Sequence, residues 1–141
     1  MTGAAGPPTA DPADGYGYTV PVLRLGDILL VTLQGELHDG MAEQLQHDIT
    51  ARIAHSRVTG VVIDISGVDI VDSFLGRVLA EIAAGAELLA ARTVLAGMRP
   101  AVAITLVELG LTLPGLRTAL DVERAMELLA RDPRDGEGSP R

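Results

Sequence analysis

Short apolar runs along the chain alternate with longer segments in which apolar positions recur every three or four residues. That rhythm predicts strands interleaved with helices. Val20 to Leu25 and Ile28 to Leu33 read as two short strands joined at Gly26-Asp27, a hairpin signal. Asp39 is placed to cap a helix whose buried stripe is Met41, Leu45, Ile49 and Ile53. Residues 60–65 carry Val61, Val62, Ile63 and Ile65, a β-branched run suited to a strand buried on both faces. A helical pattern from Phe74 to Ala91 turns Leu75, Val78, Ile82 and Leu89 inward, with Arg77 and Glu81 on the outer face. Thr93 to Ala96 reads as a strand broken by Gly97. Pro100 then opens a helix over 100–109 that stops at Gly110. A short strand near Arg117 to Leu120 leads to Asp121, which caps a last helix through Leu129.

The order β-β-α-β-α-β-α-β-α predicts an α/β fold. Helices that follow strands must pack on sheet faces, and crossovers between parallel strands are right-handed. The expected result is a mixed, mostly parallel β-sheet with helices packed on it. Residues 1–18 are rich in Gly, Ala and Pro and read as a flexible N-terminal tail, with Tyr16 and Tyr18 near the domain edge. Residues 132–141, DPRDGEGSPR, read as a disordered C-terminal tail, which leaves one domain over 19–131.

Composition narrows the function classes. Hydrophobic residues make up 48% of the 141 and aromatics 2%. The core must therefore be Ala, Val, Ile and Leu, with little left to stack on bases or sugars. The formal net charge of −8 repels phosphate backbones, so no nucleic-acid partner is expected. The chain has no cysteine, which excludes disulfides, thiolate metal sites and a cysteine nucleophile. It also has no lysine. No uninterrupted apolar run is long enough to span a membrane, and the N-terminus lacks the basic start and apolar stretch of a secretory signal. A soluble cytoplasmic protein is expected.

Few residues suggest catalysis. Asp64 lies where a receiver domain places its phosphoacceptor, but the lysine such a site needs is missing. A carboxylate near the sheet edge that is solvated or capped by local N–H groups is the plainer reading. His38, His47 and His55 lack the four-residue spacing that sets two imidazoles on one helix face, and Asp69 with Asp72 lacks a third ligand. No metal or cofactor is therefore expected. Ser73 sits in V-D-S-F-L-G, not in the G-x-S-x-G elbow of a hydrolase. A nucleotide phosphate at Gly97-Met98-Arg99-Pro100 is a weak alternative. Ser73 holds more interest. A serine before a helix usually caps it, but Asp72 beside it offers the same capping chemistry, and the chain's only phenylalanine, Phe74, follows. A phosphate there would add about −1.5 to −2 charges next to carboxylates.

Three segments carry a resemblance: VPVLRLGDILLVTLQGELHD, GVVIDISGVDIVDSFLGRVL and VLAGMRPAVAITLVELGLTLPGLRTALDVERAMELL. Over about Val20 to Ala130 the chain resembles the STAS domains (sulfate transporter and anti-sigma factor antagonist), and among them the stressosome branch. The resemblance implies a STAS fold and a non-catalytic role in partner switching. It implies that Ser73, in the V-D-[ST] position, accepts phosphate from a dedicated switch kinase, with Thr105 in P-x-V-A-x-T-L as a weaker second acceptor. It also implies two kinds of partner, a serine/threonine kinase of the anti-sigma type and larger STAS modulator paralogues, in a homo- or hetero-oligomer. Asp69, Asp72, Phe74 and Arg77 would form the partner-binding surface. Simple anti-sigma antagonists read D-S-[ST]-G where this chain reads D-S-F-L, which favours the stressosome branch over a stand-alone anti-sigma factor antagonist.

Overall fold

A computed structural model of the chain describes residues 20–111 and 113–131. The segments 1–18 and 132–141, read above as tails, lie outside the described residues. Among the described residues nine elements follow in the expected order. They are β1 (Val22–Leu25), β2 (Ile28–Gln34), α1 (Asp39–His55), β3 (Gly60–Gly67), α2 (Ser73–Leu88), β4 (Arg92–Ala96), α3 (Pro100–Glu108), β5 (Leu116–Ala119) and α4 (Val122–Ala130).

The strands form one sheet in sequence order, β1-β2-β3-β4-β5. The β1–β2 pair is antiparallel, and the other three pairs are parallel. The hairpin closes at Leu25 and Ile28. Gly26 between them has φ 63°, the positive angle that the first central residue of a type II′ turn requires. The parallel pairs arise because each is bridged by a helix long enough to return the chain to the same end of the sheet.

Period-two alternation divides the core into two layers. Val61, Ile63 and Ile65 of β3, with Leu29, Val31, Leu33 and Leu95, face α1, α2 and part of α3. Val62, Ile28, Val94 and Ala96 face α4 through Ala125 and Leu129. β3 is thus apolar on both faces, as its composition demands, and lies at the centre of the sheet.

Element ends and buried stripes differ from the sequence reading at several points. His38, not Asp39, is the N-cap of α1; Asp39 is already helical and makes no capping bond. Its carboxylate sits in the first turn, where the helix dipole favours it without a side-chain bond. α2 ends at Leu88 rather than Ala91. Ala90 adopts φ 65°, and the Ala91 N–H reaches back to the Ala86 carbonyl at 2.9 Å, a left-handed closure of the helix. Leu89 is therefore exposed instead of facing inward, and Ala86 completes the buried stripe with Leu75, Val78 and Ile82. Met41 is half-buried, and Ala42 joins Leu45, Ile49 and Ile53 in the stripe of α1. Gly110, with φ 70°, ends α3 where expected, and the Asp121 carboxylate caps α4 by accepting from the Arg124 N–H at 2.8 Å.

Candidate functional site

The site is built where the central strand gives way to α2. After Gly67 the chain leaves the sheet and crosses in a loop to α2. Val68 and Val71 turn into the core and anchor that loop. Asp69, Ile70 and Asp72 are left outside. Ile70 is 81% exposed, the cost of a loop whose inward positions are already taken by the two valines.

Asp72 is the N-cap of α2. Its Oδ1 accepts from the Leu75 N–H at 2.9 Å. Ser73 is consequently the first helical residue rather than the cap. Its side chain is exposed and makes no hydrogen bond with any described residue. The capping role that ordinarily explains a serine at this point is filled by its neighbour. Ser73 is free for other chemistry.

Arg77 and Glu81 follow Ser73 at four-residue steps and share its exposed ridge. Glu81 accepts from Gln46 Nε2 of α1 at 2.9 Å, which ties the two helices together. Arg77 makes no ion pair with any described residue. Phe74 is half-buried and packs partly against the main core, so its ring serves the fold and the surface at once. Buried Gly76, one turn into α2, lies against Leu111; a Cβ there would stand 2.6 Å from Leu111 Cδ1. The start of α2 is thus wedged against the segment that follows α3.

Arg99, the residue before α3, fixes the loop from the other side. Its Nε donates to the Ser66 carbonyl at 3.0 Å, and its guanidinium pairs with Asp69. Gly97 permits this approach. Its φ is 76°, and a Cβ would stand 2.9 Å from the Ser66 Cβ. Arg99 is therefore committed to protein partners. The Asp64 carboxylate accepts from the Ser66 N–H at 3.0 Å, the local capping expected of it.

Beside Ser73 lies a groove of about 500 Å³ lined by Glu36, Leu37, His38, Asp39, Asp69, Ile70, Asp72 and Leu75. Asp69 and Asp72 line this groove, while Phe74 and Arg77 belong to the adjoining start of α2. Thr105 stands apart from them on α3, half-buried, with its hydroxyl donating to the Ala101 carbonyl at 3.0 Å. Sequence reasoning missed Glu36 and Leu37 and the structural use of Arg99. The Arg99–Asp69 pair joins residues 30 apart in sequence and has no local signal. Ile70 did carry one, as a third large apolar residue in a loop with room for two.

Among the described residues, a five-stranded mixed sheet with four helices, whose central strand leads to a helix start bearing an exposed serine, defines an α/β domain. Residues 19–125 match the STAS domain, and the chain belongs to that family. RsbS of Moorella thermoacetica, solved as a serine-to-glutamate variant, is 41% identical and superposes with a TM-score of 0.71, covering 82% of this chain and 97% of that one. A chain of the stressosome, described as a signal integration and transduction hub, is 39% identical with a TM-score of 0.64 over 79% and 99% of the two chains. The RsbT co-antagonist protein RsbRD of Bacillus subtilis strain 168 is 27% identical over 109 residues, 77% of this chain. This chain spans 39% of that protein's length. The resemblance read from the three segments is therefore borne out at the level of family and fold.

Proposed function

We propose that the chain is a non-catalytic scaffold and switch in a partner-switching circuit. Unphosphorylated, it holds a serine/threonine kinase of the anti-sigma type on the surface formed by Asp69, Asp72, Phe74 and Arg77. Phosphorylation of Ser73 releases that kinase. Larger STAS paralogues assemble with the chain in a multi-subunit complex. The observation that carries this reading is the exposed, unbonded hydroxyl of Ser73 at the first position of α2, with Asp72 doing the capping. Identity of 41% to an RsbS chain, which this one covers almost end to end, supports the stressosome branch.

The electrostatics suit a switch. A phosphate on Ser73 meets the positive end of the α2 dipole and Arg77 one turn on, so the folded domain tolerates it. The same phosphate adds charge beside Asp69 and Asp72, and a partner seated there is repelled.

Incubation with the cognate kinase and ATP, followed by intact-mass and peptide analysis, is expected to locate one dominant phosphate on Ser73. Ser73→Ala should lose it and keep the kinase bound. Ser73→Asp should weaken kinase capture in part, since a carboxylate carries less charge than a phosphate. Undiminished phosphorylation of Ser73→Ala would sink the assignment and move attention to Thr105.

A further inference from the structure

Arg77 is the one cation among the four residues assigned to the docking surface, and it follows Ser73 by four positions on α2. Residues at that spacing hold their Cβ atoms about 5–6 Å apart on one helix face. Cα–Cβ bonds of a helix tilt toward its N-terminus, which inclines Arg77 toward the turn that begins with Ser73. An anion placed four residues before a cation is also the favoured order along a helix. The carboxylates around the helix start are engaged elsewhere. Glu81, four residues beyond Arg77, accepts from Gln46 Nε2 at 2.9 Å. Asp72 Oδ1 accepts from the Leu75 N–H, and Asp69 pairs with Arg99. Among the described residues, the Ser73 hydroxyl and the Arg77 guanidinium are thus the two polar groups of this exposed ridge without a partner.

We propose that Arg77 is a charge with two successive partners. Before phosphorylation its guanidinium pairs with a carboxylate of the bound kinase; afterwards the phosphate on Ser73 takes it. Phosphorylation then weakens the complex twice, by setting negative charge against the docking surface and by withdrawing the one cation which that surface offers the partner. A guanidinium suits the exchange, since its planar fork meets either a carboxylate or a phosphate with two parallel N–H···O bonds. The phosphate has the advantage in this competition. It carries more charge than a carboxylate, and it sits on the same helix, so its pairing with Arg77 is intramolecular, whereas the carboxylate must be held in place by a partner. The exchange rests on the reading of Ser73 as the switch and adds the residue that responds to it.

Phosphoserine placed at position 73 during translation gives the phosphorylated chain without any kinase. A phosphorus NMR titration then reads the second pKa of the phosphate, about 6 for an unperturbed phosphoserine. The α2 dipole lowers that value and the carboxylates of Asp69 and Asp72 raise it, alike in all variants. The parent is expected to titrate about 0.3–0.7 of a pH unit below Arg77→Gln, the shift an exposed ion pair produces. Arg77→Lys should keep part of that difference. Arg52→Gln, which removes a cation from the last turn of α1, should leave the parent value unchanged. Arg77 is exposed, so its variants are expected to fold like the parent. Kinase affinity is the second readout. Unphosphorylated Arg77→Gln should bind several-fold more weakly than the parent, and the factor by which phosphate lowers affinity should be several-fold smaller in Arg77→Gln. Equal phosphate pKa values in parent and Arg77→Gln, or equal factors of release, overturn the exchange and leave Ser73 a switch by repulsion alone. A phosphorylated parent that keeps its kinase overturns the reading of Ser73 and the exchange with it.

Discussion

At the residue scale, Asp72 takes the capping duty that a serine at this point often holds, and the proposed switch falls to Ser73. The Asp72 carboxylate holds an otherwise unpaired N–H of the first turn at 2.9 Å, whereas the Ser73 hydroxyl holds nothing. Stability and signalling should therefore separate by mutation. Asp72→Ala is expected to cost about 1 kcal/mol through the lost cap. Ser73→Ala should change stability by less than about 0.5 kcal/mol, the usual range for a surface position without partners. Urea melts of the two variants measure both effects. A Ser73→Ala loss as large as that of Asp72→Ala would mean that the hydroxyl is structural. The neighbouring carboxylates explain why the serine is informative: Asp69 is already held by Arg99, so the loop before α2 is fixed before any partner arrives.

At the scale of elements, α2 shows what sequence reveals and what it hides. Leu75, Val78 and Ile82 were legible as one buried face because a 3.6-residue period leaves no other solution. The end of the helix was not legible. Ala90 takes a left-handed conformation that glycine usually marks, and the closing bond from Ala91 to Ala86 depends on backbone geometry alone. The central strand was legible from its β-branched run, but the groove beside Ser73 was not, since the β2–α1 loop and the β3–α2 loop meet only in the fold. These contrasts set the next prediction. Ile82, 4% exposed, should cost about 2–5 kcal/mol on truncation to Ala, from lost burial and the cavity left behind. Phe74 shares its ring between core and solvent, so Phe74→Ala should cost less than Ile82→Ala while weakening kinase capture more. Denaturant melts paired with binding measurements separate the two readouts. Equal destabilisation by both, with capture unaffected, would assign Phe74 to the core alone.

At the scale of the whole molecule, one sheet with three helices on one face and α4 on the other holds two apolar layers among the described residues. The segments beyond contribute little to that inventory. Residues 1–18 contain two tyrosines as their only large aromatic groups, and residues 132–141 contain no large apolar side chain. Ordering a residue costs about 1–2 kcal/mol of backbone entropy, which sequences poor in large apolar side chains have little means to offset. Removing both segments is therefore expected to shift the melting temperature by less than about 2 °C, since 1 kcal/mol corresponds to several degrees in a domain of this size. The family match over residues 19–125 lies outside both, so the trimmed chain should still join larger STAS paralogues in a high-mass complex. Calorimetry and light scattering of the mixture check the two halves of this expectation. Loss of the complex on trimming residues 1–18, at an unchanged melting temperature, would identify that segment as an assembly element.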